Sequence, residues 1–160
     1  MRPGNFDVFL KNHAIPDMNM TDIHIEELIP HRERMKLIRR VMLSDEKKAV
    51  TEALVTEQWP LFEDGAVSSI VLIELLAQTA AVCIGWQEKQ KDDGKGGGKG
   101  WLVGIKKARF FTDKIPLNTR ITTTSVNHFV MDNYVGISGK AEIGSETAGE
   151  IDLQVFWVEE

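Results

Sequence analysis

The sequence predicts an α+β fold in which an antiparallel sheet of about five to six strands wraps around one long buried helix. The first observation is an apolar segment, residues 66–86, in which Glu74 is the only charged residue. The second is an alternation of apolar and polar residues across 135–143 and 151–157, which is typical of half-buried antiparallel strands. The third is the frequency of β-branched and aromatic residues in 102–130, which favours further strands.

The N-terminal third predicts a short helix followed by a β-hairpin. Thr21 can cap a helix over residues 23–28, and Pro30 limits its extension. Residues 35–43 and 49–56 are predicted to be strands, because a turn-like polar tetrapeptide separates them. This hairpin adds two strands to those predicted in the C-terminal part of the chain.

The long apolar segment has two possible environments, a lipid bilayer or a sheet that wraps around it. Its length suits a bilayer, which about 20 residues can span, and apolar residues at helical spacing predict a helix over 68–86. However, Glu74 and Gln78 lie near its centre, where a charge costs roughly 2.5–3.5 kcal/mol in a bilayer. The flanking strands also need an apolar partner for their inner face. The sequence therefore favours a helix buried against a sheet, and no membrane partner is expected.

The remaining strands follow a polar segment, 87–100, which has no apolar residue and is predicted to be a solvated loop within one domain. A phosphate-binding glycine loop would need a preceding strand and a Gly-Lys-Ser/Thr ending, and the segment lacks both. Residues 102–111 and 119–130 are then predicted to form two strands on either side of Pro116. The alternating segments near the C terminus complete the sheet.

Length and composition fit a domain with its own core. A chain of 160 residues with 42% apolar residues can bury such a core, and we expect an N-terminal arm over 1–20 and a single domain over 21–160. The arm lacks the apolar run of a secretory signal, which predicts a cytoplasmic protein. The net charge of −5 argues against a nucleic-acid partner. The single Cys83 excludes an intramolecular disulfide, and four scattered histidines lack metal-ligand spacing, so neither a metal nor a cofactor is expected.

Three segments of the chain resemble one enzyme family. Residues 28–32 read Leu-Ile-Pro-His-Arg, residues 73–80 contain a Glu followed three residues later by Ala-Gln, and residues 100–110 read Gly-Trp-Leu-Val-Gly-Ile-Lys-Lys-Ala-Arg-Phe. In this order they resemble the FabA/FabZ-type 3-hydroxyacyl-acyl-carrier-protein dehydratases, particularly the ApeP-like branch of aryl-polyene pathways, over residues 22–158. The resemblance implies the hotdog fold and dimers or larger assemblies with acyl tunnels between the subunits.

The resemblance assigns Glu74 to the catalytic carboxylate of that family, which acts on the hydroxyl side of the reaction. Removing water from a 3-hydroxyacyl thioester requires a base, an acid and a donor for the thioester oxygen. Because Ile73, Leu75 and Leu76 are its neighbours in sequence, burial is expected to raise the pKa of Glu74. Alternatively, amides hold this carboxylate in a purely structural role.

The catalytic histidine of the family has no counterpart in this sequence. The family carries it in a His-Phe-Pro-Gly motif, in a loop shortly before the long helix. The corresponding loop here is predicted over 59–65, begins with Trp59 and reads Trp-Pro-Leu-Phe-Glu-Asp-Gly, without a histidine. His31 is one possible substitute, although the resemblance gives the Pro-His-Arg histidine no catalytic role.

Gly65, Ala66 and Gln78 are the candidate substrate-binding residues. The amide of Gly65 can face a thioester oxygen if the N-terminus of the long helix lies behind it. Cys83 lies inside the apolar helix and is predicted to be an unreactive core residue.

Basic residues provide candidate docking sites for an acidic acyl-carrier protein. Lys106, Lys107 and Arg109 follow one another on a predicted strand, and their positive charge could guide the carrier. A solvated face is the alternative explanation. Coenzyme A is the other candidate carrier of the thioester, and the protein partner is expected to be a second copy of this chain or an active dehydratase in a heterodimer.

Three functions are consistent with these residues. The first is a dehydratase-like protein that acts on or binds 3-hydroxyacyl thioesters of acyl-carrier protein or coenzyme A, as in fatty acid or polyene biosynthesis, with Glu74 as its catalytic group. The second is a non-catalytic subunit that pairs with an active, histidine-bearing dehydratase. The third is a hotdog thioesterase in which Glu63, Asp64 or Glu74 directs water at the thioester.

Overall fold

The computed structural model describes residues 24–90 and 98–159, and its main element is a six-stranded antiparallel sheet. In chain order the elements are β1 (Ile38–Ser44), β2 (Lys48–Leu54), β3 (Phe62–Glu63), β4 (Ala66–Ser68), α1 (Val71–Gln90), β5 (Gly98–Phe110), β6 (Lys114–Pro116), β7 (Arg120–Met131), β8 (Tyr134–Ile143) and β9 (Glu146–Glu159). The strand order is β1-β2-β7-β8-β9-β5, and every neighbouring pair is antiparallel. This sheet around one long helix is the hotdog arrangement, so the predicted fold class is confirmed.

The helix α1 lies at the centre of the core. Leu72, Leu75 and Leu76 are almost completely buried and belong to one apolar cluster with inward-facing sheet residues such as Ile121 and Leu153. The apolar residues that predicted this helix thus pack against the sheet. None of the described helices is sufficiently long and apolar to cross a bilayer.

The helix differs from its prediction at both ends. It begins at Val71 rather than at 68, because the backbone of residues 66–68 pairs in β4. It also continues through Gly85 as far as Gln90, so the first residues of the predicted polar loop are helical. Part of that loop, 91–97, and the predicted arm, 1–20, lie outside the described residues.

One face of α1 remains uncovered in this chain. Ile73, Glu74, Ala77 and Ala81 recur at helical spacing and are only partly buried, whereas the opposite face is buried against the sheet. Ile70, directly before the helix, is 52% exposed. The sheet therefore covers the helix on one side only, and Glu74 lies in the uncovered apolar stripe.

A second, small sheet has the strand order β3-β4-β6. Its strands β3 and β4 precede the helix in sequence, and β6 follows it. Asp64 and Gly65 form the two-residue turn between β3 and β4, and both have positive φ angles, of 51° and 80°. A turn with two positive φ angles suits a tight hairpin and favours glycine at the second position. Val67 and Ile115, which are opposite each other in this sheet, are fully buried.

The predicted loop over 59–65 is corrected by the structure. Trp59, at its start, is only 5% exposed and belongs to the apolar core. Its amide donates to the Thr56 carbonyl at 3.2 Å, and its carbonyl accepts a hydrogen bond of 3.3 Å from the amide of Phe62, the first residue of β3. The segment is therefore a compact turn that leads into the small hairpin rather than an open loop, because the burial of the indole fixes its start to the core.

The segment before the large sheet is fixed against the C-terminal half of α1. The predicted helix over 23–28 is only a 3₁₀ turn, Ile25–Glu27, and the predicted cap Thr21 lies outside the described residues. A side chain at Gly85 would place its Cβ atom 2.2 Å from the carbonyl oxygen of Leu28. The absence of a side chain at Gly85 therefore allows this segment to approach the helix closely, and the segment leads directly into Pro30 and His31.

Candidate active site

Glu74 lies in the first turn of α1, on the stripe that the sheet leaves uncovered. Its side chain is 32% exposed. One carboxylate oxygen, Oε1, is 3.1 Å from His31 Nε2 and accepts a hydrogen bond of 2.8 Å from Gln78 Nε2. The second oxygen, Oε2, has no hydrogen-bond donor among the described residues. The arrangement thus fixes one oxygen of the carboxylate and leaves the other available.

Gln78 connects this carboxylate to the backbone that leads into β1. Its side chain is fully buried, its Oε1 accepts a hydrogen bond of 3.0 Å from the Leu37 amide, and its Nε2 donates to the Met35 carbonyl at 2.5 Å as well as to Glu74. A spacing of four residues on a helix brings Gln78 next to Glu74. Both hydrogens of the side-chain amide are used within the chain, and the predicted contact of Gln78 with a substrate stays a prediction.

Hydrogen bonding, rather than burial, determines the ionisation of Glu74. The hydrogen bond with His31 lowers the pKa of Glu74 below its ordinary value; burial opposes this effect, and the Gln78 amide adds to it. The expectation that burial raises this pKa is therefore wrong, because it ignored the donors. A lowered pKa keeps the carboxylate ionised at neutral pH and stabilises the fold above the unfolded-state pKa, and this contribution is lost as the pH falls through the folded-state pKa.

His31 is held in place by the residue that follows it. The guanidinium of Arg32 donates to the carbonyl oxygens of Glu26, Ile29 and His31, at 2.8, 2.8 and 2.9 Å. These bonds fold the Pro-His-Arg segment around one arginine, because a planar guanidinium carries several donors in fixed directions. The imidazole lies beside Glu74 as a result, with its Nδ1 atom buried and without a hydrogen-bond partner among the described residues.

Gly65 and Ala66 lie near the start of the helix in sequence but not on it. Gly65 is exposed in the hairpin turn, and its carbonyl accepts a hydrogen bond of 2.9 Å from the Leu117 amide. Ala66 pairs with Glu63 and Pro116 in the small sheet. Ala66 is the first residue of β4, and the helix begins only at Val71, so it does not start directly behind Gly65. Their contact with a substrate stays a prediction.

The segment in which the family carries its histidine offers two exposed carboxylates but no imidazole. Its buried aromatic residue, Trp59, is a core side chain, and an indole has an N–H donor but no group that could accept a proton near neutral pH. Leu61, which follows in the same turn, is exposed and apolar. Acid–base chemistry in this segment could therefore come only from Glu63 and Asp64, which are both exposed in the small hairpin.

The candidate docking residues lie on β5, at one edge of the large sheet. Lys106, Lys107 and Arg109 are all exposed. Lys107 forms an ion pair of 3.2 Å with Glu150, and the Arg109 guanidinium lies 5.5 Å from the centre of the Phe111 ring. An exposed ion pair contributes little to stability, so these charges remain available to an acidic partner.

Cys83 and metal-binding side chains add nothing to the site. Cys83 is buried in α1, so the prediction of a core cysteine is confirmed, and burial raises the pKa of its thiol to about 12. Within 24–90 and 98–159, no group of three or more His, Cys, Asp or Glu side chains is close enough to hold a metal ion. Among the described residues, the candidate site thus consists of Glu74 and its neighbours.

Comparison by sequence identifies the family. The family model of the ApeP-like dehydratases, described as ApeP dehydratase, matches residues 23–159. A 3-hydroxyacyl-[acyl-carrier-protein] dehydratase FabZ from Alkaliphilus metalliredigens is 28% identical over 146 residues, which cover 85% of this chain and 92% of that protein. The residues that the family model matches include the Pro-His-Arg segment and the helix with Glu74.

Solved structures with the same fold include a dehydratase and a thioesterase. A chain of the dehydratase heterocomplex ApeI:P from Xenorhabdus doucetiae superposes with a TM-score of 0.79 at 16% identity, over 86% of this chain and 93% of that one. A hypothetical thioesterase with coenzyme A from Streptococcus pneumoniae superposes with a TM-score of 0.60 at 9% identity, over 76% of this chain and 86% of that one. Both similarities show the hotdog fold. The family model covers nearly all of the described residues, and the chain therefore belongs to the ApeP-like dehydratase family.

Proposed function

We propose that the chain is a dehydratase-like protein which acts on 3-hydroxyacyl thioesters, carried by acyl-carrier protein or coenzyme A, with Glu74 as its catalytic residue. The observation that supports this most directly is the state of the carboxylate. Glu74 is ionised, partly exposed and free at Oε2, and it lies on an apolar stripe where an acyl chain could lie beside it. A carboxylate in such a place can exchange a proton with a bound thioester.

One carboxylate suffices for the elimination. Glu74 Oε2 takes the proton from C2 of the 3-hydroxyacyl thioester, and the electrons of that C–H bond form the double bond between C2 and C3. The bond from C3 to the hydroxyl oxygen breaks, and the protonated Glu74 returns its proton to the leaving hydroxyl. The products are an enoyl thioester and water, and the carboxylate is regenerated, so this step does not require the histidine that residues 59–65 lack.

The proposed working unit is an assembly of two hotdog subunits. Trp101, Val103 and Ile105 on the edge strand β5 are each about half exposed, at 60%, 53% and 49%, and long apolar edge strands are rarely left open to water. The uncovered stripe of α1 around Glu74 adds a second apolar surface. Pairing through β5 would cover the first surface, and a tunnel between subunits would use the second.

The partner can be a second copy of this chain or a related dehydratase subunit. A heterodimer is supported by the resemblance to a chain of the ApeI:P dehydratase heterocomplex, and the missing histidine would then come from the partner. An acidic carrier protein would dock at Lys106, Lys107 and Arg109, whose charge complements it. A cytoplasmic location is part of the same proposal.

The test of the proposed function is the formation of an enoyl thioester. Purified protein is incubated with a 3-hydroxyacyl-coenzyme A and with the same acyl group on an acyl-carrier protein, and mass spectrometry follows the loss of water from the acyl group. We expect an enoyl product with at least one carrier. Release of a free thiol instead would indicate a thioesterase. Product formation only after addition of a histidine-bearing dehydratase subunit, at a rate that Glu74→Gln in this chain does not change, would assign this chain to the non-catalytic role.

Disrupting the apolar edge is expected to separate the subunits. The double variant V103K/I105K places two charges on β5, and we expect its mass in solution to fall from that of a dimer or larger assembly to that of a monomer. Light scattering after size-exclusion chromatography measures this mass. The matched control is Met42→Lys, because Met42 is 47% exposed on β1 at the opposite edge of the sheet. Equal masses for the double variant and the wild type would exclude β5 as the interface.

A further inference from the structure

We infer that His31 is a positioning residue that acts through Glu74: its Nε2–H holds the Oε1 atom of the carboxylate, so that Oε2 remains free as the base. This inference rests on the proposed function, in which Glu74 acts on the thioester. It assigns a role in the same chain to a histidine that the sequence places far from the helix and outside the segment where the family carries its own.

The distance to Glu74 and the burial of Nδ1 favour Nε2 as the nitrogen of His31 that donates. Nε2 is 3.1 Å from Glu74 Oε1, whereas Nδ1 is buried without a partner in the described part of the chain. A proton on Nδ1 would be a buried donor without an acceptor, which is costly. The favoured neutral tautomer therefore carries its proton on Nε2 and donates it to Glu74.

The burial of Nδ1 also decides how His31 can take part in the reaction. A base must come within hydrogen-bonding distance of the proton that it removes. Nδ1 is enclosed by the protein, and Nε2 is occupied by Glu74, so neither nitrogen is available to a substrate in this arrangement. His31 acts instead on the carboxylate, as a hydrogen-bond donor that favours its charged form.

The two donors on Oε1 divide the carboxylate into a fixed and a free oxygen. His31 and Gln78 both bind Oε1, from two different parts of the chain. Two donors on one oxygen restrict the rotation of the carboxylate, which keeps Oε2 in one orientation on the uncovered stripe. Without His31 the carboxylate keeps one donor, is held less firmly and is harder to ionise.

The surroundings of Glu74 contain few other charges that could set its ionisation. His31 is the titratable residue that contacts it from the N-terminal segment, and Gln78 of α1 is neutral. Lys36, in the segment that Gln78 binds, is paired with Glu26. The pH response of this carboxylate should therefore depend on His31 more than on any other described residue.

The test measures the Glu74 carboxylate directly. Carbon-13 NMR follows the carboxyl signals of the full-length protein as the pH is varied, and the signal that Glu74→Gln removes is the Glu74 signal. In His31→Ala we expect this signal to titrate at a higher pH than in the wild type, because burial then acts with one opposing donor fewer. His31→Gln retains an N–H donor and should restore part of the difference.

The turnover numbers of the same variants are expected to follow the same order as their Glu74 titrations. In His31→Ala the turnover number should fall on the order of 10²-fold, because a misplaced catalytic group costs about that much, and the acidic limb of the pH–rate profile should move to higher pH. His31→Gln should lie between His31→Ala and the wild type. The matched control is His24→Gln, which removes an exposed histidine from the same segment that has no contact with Glu74 among the described residues.

The two readouts separate the inference from the function on which it rests. An unchanged Glu74 titration in His31→Ala overturns the role of His31, whether or not the protein is active. A shifted titration together with an absence of enoyl product supports the coupling of His31 to Glu74 and contradicts the dehydratase function. A shifted titration with the expected loss of turnover supports both.

Discussion

Glu74→Gln is expected to lower the rate of enoyl-thioester formation by about 10²–10⁴-fold, the range that a general acid–base group contributes. The substituted amide has nearly the same shape as the carboxylate, and its oxygen can still accept the hydrogen bonds of His31 and Gln78. It cannot take a proton from C2 or return one to the leaving hydroxyl. The loss should therefore appear in the turnover number, while the KM for the thioester changes little.

The matched controls for this experiment are Glu63→Gln and Asp64→Asn. Both carboxylates are exposed in the small hairpin, and both are the alternative bases of a thioesterase. We expect wild-type rates of enoyl formation for each. A Glu74→Gln protein that retains its rate, or a hairpin variant that loses it, would move the catalytic base away from α1. Circular dichroism of the Glu74→Gln protein should match that of the wild type, since the amide oxygen can keep the contacts with His31 and Gln78.

The long elements of this fold could be predicted because each carries a repeated pattern. The apolar segment around Leu76 and the alternation in 135–143 depend on local periodicity, and α1 and β8 agree with them. The small sheet could not be predicted, because β3, β4 and β6 contain only two or three residues each. Such strands are too short to show a period, and their pairing is a tertiary contact. The burial of Trp59 before β3 is likewise a tertiary contact, which the residues next to it in sequence do not determine.

The candidate site likewise depends on a tertiary contact that the sequence alone could not predict. Glu74 and Gln78 could be selected from one helical motif, but the contact between Glu74 and His31 joins two segments that are distant in sequence. This contact requires the close approach of Leu28 to Gly85 and the turn before His31 that the Arg32 side chain holds together. The predicted direction of the pKa shift of Glu74 was wrong for the same reason. Neighbours in sequence indicate burial, but they do not indicate which hydrogen-bond donors the fold supplies.

Gln78→Met is expected to destabilise the fold by about 3 kcal/mol, because it removes three hydrogen bonds and leaves a buried backbone donor unpaired. Methionine has a similar volume and fills the space, so the loss comes from the polar groups rather than from a cavity. The Leu37 amide and the Met35 carbonyl would both lose their side-chain partner. Urea unfolding at a fixed protein concentration measures the free energy of unfolding of the assembly.

Gln87→Met provides the matched control on the same helix. Gln87 is partly exposed near the end of α1 and contacts the Glu46 carbonyl, so its replacement should cost well below 1 kcal/mol, as partly solvated positions usually do. The difference between the two variants isolates the buried connection from α1 to the segment before β1. If both variants lost the same stability, Gln78 would not hold that segment. A large loss for Gln78→Met alone would instead show that the residue beneath the carboxylate is needed by the fold as well as by the site.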